Sequence, residues 1–139
     1  QRFEDFFIAL ERRHPDRMRA IIDYDRELSR RIYAAADIFV MPSKSEPCGL
    51  SQMIASRYGS VPVVRETGGL FDSIKDVGCE GGGNGFTFAP YSAWELLGAV
   101  RRAVGSYRSD DWKKLVRKVM QTDFSWTKSA KEYIEKVYS

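Results

Sequence analysis

The sequence is poor in the residues that mark several classes of protein. Its two cysteines, Cys48 and Cys79, are too few for a disulfide framework, and with His14 as the single histidine no zinc-binding cluster has the right spacing. No apolar run approaches the roughly 20 residues of a membrane span, and the amino end lacks the charged-then-apolar order of a signal peptide. We therefore expect no metal, no cofactor, no membrane partner and a reducing, cytoplasmic setting.

A strong charge of one sign is also missing. The 22 basic and 19 acidic residues are interspersed and leave a net charge of +3, so no basic field indicates a nucleic-acid partner. With 139 residues, 43% of them hydrophobic, the chain is long enough for one compact core. It starts at Gln1 directly in an amphipathic pattern, so we expect residues 1–139 to form a single domain that is truncated at its amino end.

Apolar periodicity and turn residues predict strands and helices that alternate over the first 90 residues. Strands are expected at residues 19–23, 38–41, 61–64 and 86–88, and helices at 3–10, 26–33, 52–58 and 70–76. A glycine-rich loop is expected at residues 77–85, and three closing helices at about 92–106, 110–121 and 125–138. Such alternation is typical of an α/β fold with a Rossmann-like parallel sheet and helices on both faces, which binds ligands at the carboxyl ends of its strands.

The most informative segment is residues 36–70. The run at 38–41 has the continuity of a buried parallel strand, and Pro42 and Pro47 bracket a loop that places Glu46 at the strand's carboxyl end. Gly49 removes side-chain bulk where the chain turns into a helix, so the free amides of residues 48–51 can face a bound anion closely. This arrangement suits a diphosphate with a sugar attached.

The string PSKSEPCGLSQM, followed by RYGSVPVVRETGGLFDSIKD, closely resembles the C-terminal domain of bacterial glycogen synthases and plant starch synthases. Those enzymes are retaining glucosyltransferases of the GT-B architecture. The likeness also covers IIDYDRELSRRIYAAADIFVMPS and the closing Phe124-Ser125-Trp126, and so extends over essentially the whole chain. The resemblance implies transfer of glucose from ADP-glucose or UDP-glucose to the non-reducing end of an α-1,4-glucan.

The resemblance also implies roles for particular residues. Glu46 corresponds to the catalytic acidic residue that contacts the transferred glucose, and the amides of Cys48 and Gly49 to those that hold its hydroxyls. Leu50 and Ser51 match positions whose donors meet the phosphates.

Outside that segment, Tyr24 matches an aromatic residue that packs on the nucleotide base. Related transferases carry a ribose-binding glutamate where this chain has Ile54, and the glycogen and starch synthases lack it too. In the family, the Arg and Lys that neutralise the diphosphate, and the N-terminal acceptor domain, lie upstream of the residues in this chain. We therefore expect the chain to be inactive alone and the helix at 125–138 to pack on that N-terminal domain. A plant starch synthase would be located in the plastid.

Other readings of the same residues are open. Glu46 can be a favourable partner of a helix dipole, and Tyr24 a turn aromatic that covers the sheet edge. Cys48 has no nearby histidine to activate it as a nucleophile. The chain can also belong to another GT-B transferase, such as a sucrose-synthase-like enzyme, or be a nucleotide-sugar-binding module without catalysis.

Overall fold

The structure, a computed structural model, describes residues 2–138. The chain divides into two compact units, one that ends at Arg30 and one that begins at Arg31. The elements in chain order are α1 (Arg2–Arg13), α2 (Arg26–Ala35), β1 (Ile38–Met41), α3 (Ser51–Tyr58), β2 (Val61–Arg65), α4 (Gly69–Ser73), β3 (Phe86–Phe88), α5 (Ala93–Tyr107), α6 (Trp112–Gln121) and α7 (Trp126–Val137).

The first unit lacks the strand that the sequence predicts at residues 19–23, so that prediction is wrong. Ile21 and Ile22 stay about half exposed, and the Ala20 amide donates to Glu11 Oε2 at 3.2 Å instead of to a neighbouring strand. A β-strand exists only within a hydrogen-bonded ladder. The described residues of this unit contain no partner strand, so the apolar segment forms no β-strand.

The second unit contains a parallel sheet of three strands in the order β1-β2-β3. Val63 in the central strand pairs with Val40 on one side and Phe86 on the other. Because parallel strands need long crossovers, α3 connects the first pair and the segment containing α4 connects the second. All three carboxyl ends therefore lie at one edge of the sheet.

Helices cover both faces of this sheet. Val61 and Val63 point into the larger core, where they pack with Phe86 and Phe88 and with residues of α5 and α6. Val64 points the other way, into a smaller core with Leu70 and Ile74. The period of two along β2 thus fills a core on each side, which confirms the predicted Rossmann-like layering.

Helix α4 is shorter than the predicted helix at residues 70–76, and the buried side chain of Asn84 explains why. Asn84 Oδ1 accepts from the Lys75 amide at 2.8 Å, and Nδ2 donates to the Ser73 carbonyl at 3.0 Å. These are the backbone groups that a further helical turn requires. Asn84 therefore ends the helix and fixes the loop after it.

The carboxyl-terminal helices begin where the sequence predicts them. Ser92 Oγ accepts from the Trp94 amide, and Ser125 Oγ accepts from the Lys128 amide, which makes both serines N-caps. No residue of α7 between Trp126 and Val137 is buried. Within residues 2–138, no helix combines the length and apolarity needed to cross a membrane.

Candidate functional site

Two loops meet at the carboxyl ends of β1 and β2. The Gly69 amide donates to the Glu46 carbonyl at 3.1 Å. The approach is so close that a Cβ on Gly69 would lie 1.8 Å from the Cys48 carbonyl oxygen, and one on Gly68 would lie 2.1 Å from that of Glu46. Only glycine fits at these two positions, so the glycine turn supports the acidic loop directly.

The backbone amides at the start of α3 are unengaged. Among residues 2–138, no protein group accepts a hydrogen bond from the amides of Cys48, Gly49, Leu50 or Ser51, and no side chain caps the helix. The Leu50 carbonyl already accepts from Ile54 at 2.9 Å, so the helix proper begins there. The amides of Leu50 and Ser51 are orphan donors of the helix N-terminus, and those of Cys48 and Gly49 lie in the loop directly before it; an anion there is stabilised by hydrogen bonds and by the helix dipole.

The half-buried side chain of Glu46 lies beside these donors. Its Cγ would lie 3.0 Å from a Cβ on Gly49, whose φ of +69° is itself favourable only for glycine. Ser43 Oγ donates to Glu46 Oε2 at 3.2 Å, whereas Oε1 receives no hydrogen bond from the described residues. The structure thus brings Glu46, residues 48–51 and the glycine turn together.

Gln52, for which the sequence predicts no role, links the loop at Gly49 to α4 from the buried side of the site. Its side chain is fully buried, and Nε2 donates to the Gly49 carbonyl at 2.8 Å and to Ser73 Oγ at 3.0 Å. A polar residue in the first turn of a helix gives no sequence signal of such a role, because it is normally read as solvent-facing.

Arg65, at the end of β2, ties neighbouring loops together. Its Nη1 donates to the Lys44 carbonyl at 2.8 Å and its Nε to the Ala89 carbonyl at 3.1 Å, and the guanidinium lies 5.5 Å from the centre of the Tyr91 ring. Two of its five N–H groups thus bind backbone carbonyls of the fold, and Arg65 braces the strand ends.

A polar network behind the site braces β3. Asp76 accepts from the Thr87 and Gly78 amides at 2.8 and 2.9 Å and from Arg102 Nη1 at 2.9 Å, and Thr87 Oγ1 donates to Glu66 Oε1 at 2.6 Å. Partial burial raises the pKa of Asp76, but the hydrogen bonds from Thr87, Gly78 and Arg102 outweigh it and hold the pKa below its ordinary value. Asp76 and Arg102 are 26 residues apart in sequence, so the sequence alone does not reveal the pair.

The remaining predicted site residues lie as follows. Cys48 is an exposed free thiol and borders a groove of about 420 Å³ that Gln52, Gly69 and Ser73 also line. Tyr24 belongs to the first unit, where its side chain is 85% exposed and its amide donates to Asp23 Oδ1 at 2.7 Å. The sequence predicts Tyr24 at the end of a strand, but the structure has no strand at residues 19–23. Its contact with a base stays a prediction.

Among residues 2–138, no group of three or more aspartate, glutamate, histidine or cysteine side chains lies close enough together to hold a metal ion.

Comparison with known proteins identifies the family. Residues 8–136 match the glycosyl transferases group 1. The chain belongs to this family. It is 50% identical over 139 residues to glycogen synthase of Bacillus licheniformis and 49% identical over 133 residues to that of Bacillus subtilis, covering 99% and 94% of this chain. In each case it spans 28% of the length of the relative.

A solved structure has a closely similar fold. The catalytic domain of starch synthase IV from Arabidopsis thaliana, bound to ADP and acarbose, superposes with a TM-score of 0.85 at 44% sequence identity. The match covers 94% of this chain and 28% of that structure. The resemblance to glycogen and starch synthases that the sequence suggested is thereby confirmed.

Proposed function

We propose that this chain is the donor-binding part of a retaining glucosyltransferase that elongates an α-1,4-glucan. The observation that carries the proposal is the row of unpaired amides at residues 48–51 beside the Glu46 carboxylate. It occurs in a chain that is 50% identical to a glycogen synthase and that matches a starch synthase bound to ADP. The donor is ADP-glucose or UDP-glucose.

In this proposal, each group at the site has a defined part. Glu46 contacts the transferred glucose, the amides of Cys48 and Gly49 hold its hydroxyls, and Leu50 and Ser51 donate to the diphosphate. As the anomeric bond loosens, negative charge grows on the leaving diphosphate, and preorganised donors stabilise it. The acceptor hydroxyl enters from the same face, so the configuration is retained.

The helix N-terminus cannot supply all of this stabilisation. Each exposed interaction with the helix dipole contributes about 0.3 to 1 kcal/mol, far less than the total that a fast enzyme requires. Basic groups must contribute the rest, and in the glycogen and starch synthases that this chain resembles, the Arg and Lys that neutralise the diphosphate lie upstream of the matching residues. We infer that those groups lie in parts of the enzyme outside this chain, so the chain alone has no useful synthase activity.

The N-terminal domain of the same enzyme is the proposed protein partner. Helix α7 offers an apolar surface for it, since Trp126 is 89% exposed and Ile134 and Val137 are each more than half exposed. The whole enzyme is proposed to act in the cytoplasm. Tyr24 is proposed to pack on the base of the donor nucleotide.

A chimera tests this function. This chain replaces the matching segment of the Bacillus licheniformis glycogen synthase, and glucan elongation is measured with ADP-glucose and with UDP-glucose. We expect the chimera to elongate glucan, the Glu46→Gln variant to lose turnover, and Glu80→Gln, at an exposed glutamate of the glycine-rich loop, to leave it unchanged.

The other readings give different results. A folded chimera that binds ADP-glucose without elongating glucan would favour a binding module. Transfer to fructose instead of glucan would favour a sucrose-synthase-like enzyme. Full activity of Glu46→Gln would refute the role of Glu46.

A further inference from the structure

The buried amide of Gln52 closes a ring of hydrogen bonds under the donor-binding loop. Nε2 uses its two hydrogens on the Gly49 carbonyl and on Ser73 Oγ. Ser73 Oγ in turn donates to the Gly69 carbonyl, and the Gly69 amide donates to the Glu46 carbonyl. The ring therefore runs from the acidic loop through Gln52 and α4 back to the acidic loop.

This ring fixes the direction in which two amides point. A trans peptide is planar, so its N–H points opposite to its C=O, and the described peptide bonds are all trans. Gln52 Nε2 holds the Gly49 carbonyl inward, which turns the Leu50 amide outward. The Cys48 carbonyl faces Gly69 and lies 3.5 Å from Nε2, so the Gly49 amide points away from that contact.

The Gln52 side chain also carries a cost that a purely structural residue would avoid. Its Oε1 is buried and accepts no hydrogen bond from the described residues. The opposite amide orientation would place Oε1 against the Gly49 carbonyl, which is also an acceptor and would repel it. A buried acceptor without a partner costs free energy, and an apolar side chain of equal length would avoid that cost but lose the two hydrogen bonds from Nε2.

We propose that Gln52 is a positioning residue that aims the Gly49 and Leu50 amides at the sugar and diphosphate of the donor. The inference rests on the proposed function of the same site, but it concerns peptide orientation, which exists without ligand. It predicts that removing the Gln52 amide weakens donor binding and reorients the two amides in a protein that remains folded, although it loses two buried hydrogen bonds.

Nitrogen-15 NMR of the 139-residue chain tests the proposal with three variants. Gln52→Met keeps the length of the side chain and removes both donors, and Ser73→Ala breaks the ring at its next member. Gln121→Met makes the same exchange at an exposed position at the end of α6 and serves as the control. Each protein is compared for its melting temperature, its ligand-free Gly49 and Leu50 amide signals, and its titration with ADP-glucose and ADP.

We expect Gln52→Met to stay folded but to melt lower than the wild type, because the hydrogen bonds to the Gly49 carbonyl and to Ser73 Oγ are lost, and the removal of one unpartnered acceptor offsets that loss only in part. Its Gly49 and Leu50 signals should shift or broaden, and its affinity for ADP-glucose should fall about tenfold, the effect of weakening one hydrogen bond to a charged group. Ser73→Ala should change the same signals by less, and it decides the question if Gln52→Met does not fold. Gln121→Met should match the wild type.

Two results would overturn the proposal. One is a folded Gln52→Met variant whose Gly49 and Leu50 signals match the wild type, and the other is a variant with altered signals but unchanged affinity. A folded chimera to which neither ADP-glucose nor ADP binds would instead count against the proposed function, because the chimera also contains the basic groups that are proposed to lie outside this chain. In that case the ligand-free amide signals still decide whether Gln52 orients the loop.

Discussion

Replacing Gly69 by alanine should destabilise the protein through the contact between the two site loops. The added Cβ would lie 1.8 Å from the Cys48 carbonyl oxygen, a backbone atom that cannot rotate away, whereas real contacts stay above 3.0 Å. The loops must therefore separate by about 1 Å, which breaks the hydrogen bond from the Gly69 amide to Glu46, now 3.1 Å long. Overpacking costs about 1 to 3 kcal/mol and the lost hydrogen bond about 1 kcal/mol more.

Gly98→Ala is the matched control, because nothing lies within 4 Å of a Cβ at that position in α5. Gly98→Ala should raise the free energy of unfolding by about 0.5 to 1 kcal/mol, since alanine is the better helix former. Thermal and urea unfolding, followed by circular dichroism, measure the stability of both variants. A Gly69→Ala variant as stable as Gly98→Ala would refute the reasoning that the loops touch through backbone atoms.

Three further predictions concern charge, chemistry and the nucleotide base. The pKa of Asp76 is lowered in the folded state, so its contribution to stability is fully present above the ordinary carboxyl pKa of about 4 and is lost as the pH falls from there through the lowered pKa of the folded protein. Urea titrations between pH 7 and acidic pH should show that Asp76→Asn has a lower free energy of unfolding, which falls less steeply with decreasing pH than that of the wild type. An equally steep fall in the two proteins would contradict a lowered pKa of Asp76 in the folded state. In the chimera, Glu46→Gln should reduce kcat by about a hundredfold, the usual scale for losing one transition-state contact, with folding unchanged; equal kcat values would exclude the assigned role. Tyr24→Ala should weaken ADP binding about tenfold while Tyr24→Phe preserves it, because base stacking contributes about 1 to 3 kcal/mol; equal affinities would favour the turn-aromatic reading.

The sequence predicts the sheet of the second unit well. The strands at 38–41, 61–64 and 86–88 are continuous apolar runs between turn residues, and a buried parallel strand has that pattern. The segment at 19–23 resembles them locally, but a strand also needs a neighbour to pair with, and the described residues of its unit provide none. The local sequence pattern therefore does not reveal whether a partner strand is present.

The site itself is only partly visible in the sequence. The acidic turn and Gly49 are predictable because chain reversal and anion binding have local requirements. The ring around Gln52 is not, since Ser73 is 21 residues away and the pairing exists only after α3 and α4 pack. The shortening of α4 by Asn84 is hidden for the same reason, because the amide reaches back nine residues to Lys75.

The backbone contact between Gly69 and Cys48 limits how such a site can diversify. Any side chain larger than hydrogen at Gly69 would push the two loops apart, so variation at this site has to fall at other positions. Leu50, the N-cap residue of α3, and Ile54, one helical turn later, are 67% and 40% exposed and have room to vary. A library that tests the proposed donor preference should therefore keep Gly68 and Gly69 and vary exposed positions such as these two.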